Sequence, residues 1–171
     1  RRHHADLAAG EEARAAAELG TTRFMPAEAE LGAYRYRVNA APVADSPLVI
    51  NEFMVANKRL VKDAQGEFHD WIELYNRGDK DVDASGMYLS DSKSKPTKWA
   101  FPQGTIVPPH AALIVWLDGA RAKDGGSSGN ALQANFKLSK KGETIYLFDN
   151  DTRGNNLLDE ISYSRLAEEV S

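Results

Sequence analysis

Of the carboxylates between residues 52 and 91, six make the acidic set most suggestive of chemistry: Glu52, Asp63, Glu67, Asp70, Glu73 and Asp91. Oxygen-rich sets of this kind suit Ca²⁺, which takes several carboxylate and carbonyl ligands in flexible loops. Glu52, Asp70 and Asp91 are the candidate ligands. Asp63-Ala64-Gln65-Gly66-Glu67 is loop-like, but it lacks the acidic spacing and final bidentate Glu of an EF-hand. A plainer reading stands beside this one: Asp70 and Glu73 hydrogen-bond backbone at strand and loop ends, and the others are solvated. Paired carboxylates also serve glycoside hydrolysis, which needs two of them across a sugar-binding cleft. Nothing in the sequence marks such a cleft.

Three aromatics, Trp71, Tyr88 and Trp99, would suit a sugar-stacking face if exposed, although aromatics at this density more often pack in cores and edges. The histidines, His3, His4, His69 and His110, are scattered. His69 beside Asp70 suggests a hydrogen-bonded pair, but no serine at partner spacing completes a triad. No Gly-Lys-Ser/Thr follows Asp118-Gly119 or Gly125-Gly126 to build a phosphate loop. The absence of cysteine excludes disulfides, thiolate metal sites and thiol nucleophiles. No catalytic residue is assigned, and no cofactor beyond the Ca²⁺ just considered. Lys93, Lys95, Lys98, Lys137, Lys140 and Lys141 form two basic groups. A fold that united them would offer an acidic partner a contact; left apart, they simply solvate the surface.

The net charge of −4 argues against a domain that grips nucleic-acid phosphates, since that affinity comes largely from Lys and Arg. The longest apolar run, Ala111 to Leu117, is far below the roughly 20 residues that span a bilayer. The chain opens on Arg1-Arg2-His3-His4 rather than on Met and an apolar stretch, and reads as a piece of a longer protein.

The elements that must position these side chains are short strands. Residues 1–46 form an extension: a helix over Ala5–Leu19, a strand over Tyr34–Val38, then a Pro/Ala linker ending near Pro47. From there strands are expected at Leu48–Ala56, Asp70–Tyr75, Val82–Leu89, Lys98–Phe101, Ala111–Leu117, Ala131–Leu138, Glu143–Phe148 and Leu157–Tyr163. Turn residues such as Asn76-Arg77-Gly78-Asp79, Lys141-Gly142 and Asp151-Thr152-Arg153-Gly154 separate them. Seven or eight strands over about 115 residues with no helical period point to an all-β sandwich or barrel. Ile72 and Leu74 share a core-facing side, opposite Trp71, Glu73 and Tyr75. Leu113-Ile114-Val115-Trp116, apolar on both faces, reads as a central strand covered on both sides. The Gly/Ser-rich stretch Ala120–Asn130 reads as an exposed excursion, and residues 166–171 as a tail.

In order and spacing, several motifs together resemble the lamin tail domain in its bacterial form. They are Ile50-Asn51-Glu52-Phe53-Met54, Gly66-Glu67-Phe68-His69-Asp70-Trp71-Ile72-Glu73-Leu74-Tyr75-Asn76, Ser85-Gly86-Met87-Tyr88-Leu89-Ser90-Asp91 and Lys98-Trp99-Ala100-Phe101-Pro102, followed by Asn135-Phe136-Lys137-Leu138-Ser139 and Gly142-Glu143-Thr144-Ile145-Tyr146-Leu147. The likeness covers about residues 48–163, within a domain placed at 47–165. It implies an immunoglobulin-like antiparallel β-sandwich. It further implies a non-catalytic binding or structural module of a larger exported or cell-surface protein, contacting another protein or a surface polymer. No heptad rod precedes the domain, so filament assembly and nuclear location do not carry over. A carbohydrate-binding accessory domain and a Ca²⁺-stabilised adhesive module are the alternatives.

Overall fold

Between Leu48 and Val55 the chain buries Leu48 and Ile50, then Phe53 and Val55, so the inward parity switches midway. Strict alternation cannot do this, because side chains on a strand change face at every residue. The computed structural model describes residues 24–30, 33–38, 42–58, 60–119 and 131–164. In chain order the strands are β1 (Phe24–Glu30), β2 (Ala33–Val38), β3 (Leu48–Val55), β4 (Asp70–Asn76), β5 (Val82–Asp83), β6 (Tyr88–Ser90), β7 (Trp99–Ala100), β8 (Ile106–Val107), β9 (Ala112–Leu117), β10 (Leu132–Ala134), β11 (Gly142–Phe148) and β12 (Leu157–Ser164).

The strands form one sheet ordered β1-β2-β3-β4-β9-β10, a second ordered β12-β11-β6-β7, and a short β5-β8 ribbon. The pairings are antiparallel except that of β10 with β9, which is parallel. One apolar cluster takes Phe53, Ile72, Leu74 and Val115 from the first sheet and Leu89, Ile145, Leu147 and Ile161 from the second. The fold is therefore an all-β sandwich. On the outer face of the first sheet, Met54 and Trp71 form a small second cluster with Leu60, Ile114 and Trp116. That cluster is the cover over the apolar outer face of β9.

Several boundaries differ from the sequence expectations, each for a local reason. The strand expected over Val82–Leu89 is two, because Gly86 turns the chain at φ +71° between β5 and β6. The strand expected over Ala131–Leu138 ends at Ala134, and Phe136 and Leu138 are buried from irregular chain. Strands β1 and β8 were not expected; β8 is only two residues long, too short for any period to show. The segment Tyr34–Val38 lies within β2, which pairs with β3, so the large sheet continues across the expected linker. The helix expected over Ala5–Leu19, the excursion Ala120–Asn130 and the tail 166–171 fall outside the described residues.

The parity switch in β3 is a β-bulge. Ile50 pairs with Leu74 and Glu52 with Glu73, so Asn51 is the extra residue. Facing it across the core is β12, itself bulged where Leu147 pairs with Asp159 but Phe148 with Leu157. The inward residues of β12 are Asp159, Ile161 and Tyr163, so a carboxylate occupies a core position. It is not idle. The Ile50 N–H donates to Asp159 Oδ2 at 3.0 Å, a bond linking the two sheets, and the Glu160 N–H donates to Oδ1 at 2.9 Å.

Replacing Asp159 by Ala strands the buried Ile50 amide, at a cost of about 2–3 kcal/mol in urea unfolding. Asp159→Asn keeps an acceptor oxygen and costs less, about 1 kcal/mol. Equal stability of Asp159→Ala and the parent chain would contradict this reading.

Candidate functional site

The connection from β3 to β4 begins with a turn at Ala56, whose φ of 59° is unusual for a residue with a Cβ. Asn57, buried, then organises the loop through every polar atom of its side chain. Its Nδ2 donates to the carbonyls of Val61 and His69 at 2.6 and 2.8 Å, and its Oδ1 accepts from the Leu60 and Val61 amides, both at 3.2 Å. The Asn57 N–H donates to Asp70 Oδ1 at 3.1 Å, joining the loop to the start of β4. Asp70 thus spends its carboxylate on backbone. Burial pushes its pKa up, against the opposing pull of backbone hydrogen bonds from Asn57, Leu138 and Ala56 and of the Lys137 charge.

Further along the loop, Asp63 closes a tight ring. Its Oδ1 accepts from the Gln65 and Glu67 amides at 2.9 and 2.8 Å, and its own N–H donates to the Glu67 carbonyl at 2.8 Å. His69 does not pair with Asp70, as its neighbourhood in sequence suggests. Its Nε2 instead lies 3.2 Å from Glu67 Oε2 and 3.6 Å from Asp63 Oδ2. Among the described residues, Asp63, Glu67 and His69 are the His and acidic side chains whose ligating atoms converge, all within 4.8 Å of one another.

Glu52, Asp70 and Asp91, the ligands expected from the sequence, are not part of that convergent group. They sit on different elements with different partners. Glu52 is buried in β3, in register with Arg37 of β2 and Glu73 of β4. Asp91 follows β6 and is ion-paired with Lys98, whose Nζ also lies over the Phe136 ring at 5.5 Å. Two of the three aromatics considered for a sugar-stacking face are buried. Trp71 is 5% exposed and Trp99 6%. Leu60 of the β3–β4 loop packs against the cluster that holds Trp71, and Trp99 turns into the core edge-on to Phe101, at 4.8 Å between ring centroids. Tyr88 is half-buried, and its hydroxyl donates to Asp151 Oδ2 at 3.0 Å; that carboxylate raises the phenol pKa.

Two clefts flank β3, one at each end. Where β3 leaves the sheet, a cleft of about 250 Å³ is bordered by Lys58, Phe68, His69, Asp70, Lys137 and Lys140. The three lysines are exposed. At the entry to β3, a second cleft of about 330 Å³ carries Asp45, Asp81, Asp83 and Asp149 against Arg153. The sequence grouped Lys137 and Lys140, but Lys58 is about 80 residues away and joins them only through the fold. The hub residue Asn57 was missed; its one visible signal is an Asn directly after an apolar run, where loops commonly start.

A family model described as the lamin tail domain matches residues 41–165. The chain belongs to the lamin tail domain family. The matched range takes in both faces of the sandwich from β3 to β12 and leaves β1 and β2 outside as an N-terminal addition to the sheet. Lamin tail domains are immunoglobulin-like modules without enzymatic activity. No curated protein matches the chain. Among the described residues no helix is long and apolar enough to cross a membrane.

In this lamin tail domain one more carboxylate is perturbed. Glu143 Oε1 accepts from the Ser139 N–H at 2.6 Å, and burial, helped by the nearby Asp91 charge, raises its pKa against the pull of Tyr163 and Lys98. Because the folded-state pKa lies above the unfolded one, the fold binds a proton more readily at this site than the open chain does. Relative to Glu143→Gln, the parent chain should therefore gain stability as pH falls from 7 through the folded pKa. The difference should level off below the ordinary glutamate range. Urea titrations at pH 7 and pH 4.5 check it; a gap that widens against the parent chain on acidification would contradict the assignment.

Proposed function

We propose that this lamin tail domain is a non-catalytic binding module of a larger exported or cell-surface protein, and that it contacts an anionic protein segment or surface polymer. The cleft at the exit of β3 supports this reading most directly. Its rim offers Lys58, Lys137 and Lys140, while Asp70, the carboxylate among the described residues on its border, is engaged by backbone amides. A carboxylate or phosphate entering there meets mobile ammonium groups over an apolar floor that includes Leu117 and Leu138.

A polysaccharide partner would be held by charge rather than by ring stacking, since Trp71 and Trp99 are both buried. Such contacts are individually weak and salt-sensitive, which suits a module that works beside others in a longer chain. The extracellular placement rests on the likeness to bacterial members of the family.

Binding of poly-glutamate and of a carboxylated polysaccharide, followed by fluorescence anisotropy at low salt, tests the proposal. Replacing Lys58, Lys137 and Lys140 together by Ser should weaken binding about tenfold, as expected for three rim charges worth a few tenths of a kcal/mol each. The melting curve should not move. Undiminished binding by the triple variant would overturn the role of the cleft.

A further inference from the structure

We propose that Asp63, Glu67 and His69 form a binding site for one divalent transition-metal ion of the Zn²⁺ type, independent of the reading of the lysine cleft. The two oxygens of Asp63 have separate fates. Oδ1 is committed to the amides of Gln65 and Glu67, which fixes the carboxylate plane. Oδ2 is enclosed, on a side chain with 0% exposure, and has no hydrogen-bond partner among the described residues. It lies 3.6 Å from His69 Nε2, beyond hydrogen-bonding length. A buried carboxylate oxygen left without a donor is costly, so a charged or donating ligand belongs at this point.

The neighbouring atoms supply the rest of a coordination set. Glu67 Oε2 and His69 Nε2 are 3.2 Å apart. Ligands held at the Zn–N and Zn–O lengths of about 2.0–2.1 Å in a tetrahedron sit about 3.3 Å from one another. The two measured separations, 3.2 and 3.6 Å, bracket that edge. Two carboxylates and a neutral imidazole balance a divalent charge. The imidazole also decides the class of metal, because Ca²⁺ and Mg²⁺ prefer all-oxygen shells, whereas imidazole suits zinc and its neighbours. The Glu67 side chain is 40% exposed, which leaves room for water as the fourth ligand. The ion would staple the loop that also borders the lysine cleft through Phe68 and His69.

The alternative use of the same atoms is an imidazolium shared between two carboxylates with no metal. Titration calorimetry of ZnCl₂ into the EDTA-treated, dialysed full chain at neutral pH separates the two. Asp63→Asn keeps an oxygen for the two amides and removes the ligating one, and Glu67→Gln changes a group at the solvent edge. Both variants should bind one Zn²⁺ fewer than the parent chain, so that weaker binding elsewhere, for example at His3-His4, cancels. Loss of a ligand should weaken this site by at least the 10–100-fold seen for supporting groups around metals. The parent chain's Tm should rise by several degrees with Zn²⁺ in excess, and those of the variants should not. Equal Zn²⁺ stoichiometry in parent and Glu67→Gln would overturn the site, and so would stoichiometric binding of Ca²⁺ in preference to Zn²⁺.

Discussion

A carboxylate in the core holds this sandwich in register. Asp159 points inward among Ile161 and Tyr163, where an apolar residue would be expected, and receives the Ile50 amide from the opposite sheet. The bond sits where β3 and β12 both carry a bulge. Were Asn51 regularly paired instead of bulged, alternation from Leu48 and Ile50 would carry Glu52 and Met54 into the core and put Phe53 and Val55 outside. With the bulge, Phe53 meets Tyr163 at 5.0 Å between rings and Met54 joins Trp71 on the outer face. A charged group in this place is tolerated because backbone N–H groups meet both of its oxygens.

The consequence reaches the loops. Because β3 ends in the shifted parity, Ala56 and Asn57 leave the sheet at the point where Asp70 starts β4 and Leu138 passes nearby, and these groups share backbone hydrogen bonds. The β3–β4 loop is therefore built on the hydrogen bonds of the Asn57 side chain and of Asp63 Oδ1, with His69 at its end. The two clefts follow from the same geometry. One end of β3 gathers lysines and the other aspartates, so the module carries opposite charge at its two ends although its net charge is only −4.

The all-β class and the larger strands were legible because Ile72 and Leu74, or Ile145 and Leu147, alternate with polar neighbours over several residues. The bulge was not, since Leu48–Val55 is almost continuously apolar and offers no phase to follow. Chemistry was harder to read than fold. Glu52, Asp70 and Asp91 share a type but not a place, and alternation put Trp71 on the face away from the main core without showing that Leu60 packs over it. The acidic loop around Asp63 and Glu67 was visible as a loop, yet its convergence on His69 depends on the Asx-type turn that Asp63 Oδ1 makes with two amides. Such convergence belongs to the backbone path, which residue spacing encodes only weakly.

Native-state amide hydrogen exchange, resolved by NMR, tests the inter-sheet clamp most directly. The account predicts that the Ile50 amide exchanges only by global unfolding, with the same protection free energy as the central amides of Ile72, Val115 and Ile161. An Ile50 amide exchanging as freely as an exposed loop, while those three stay protected, would contradict it.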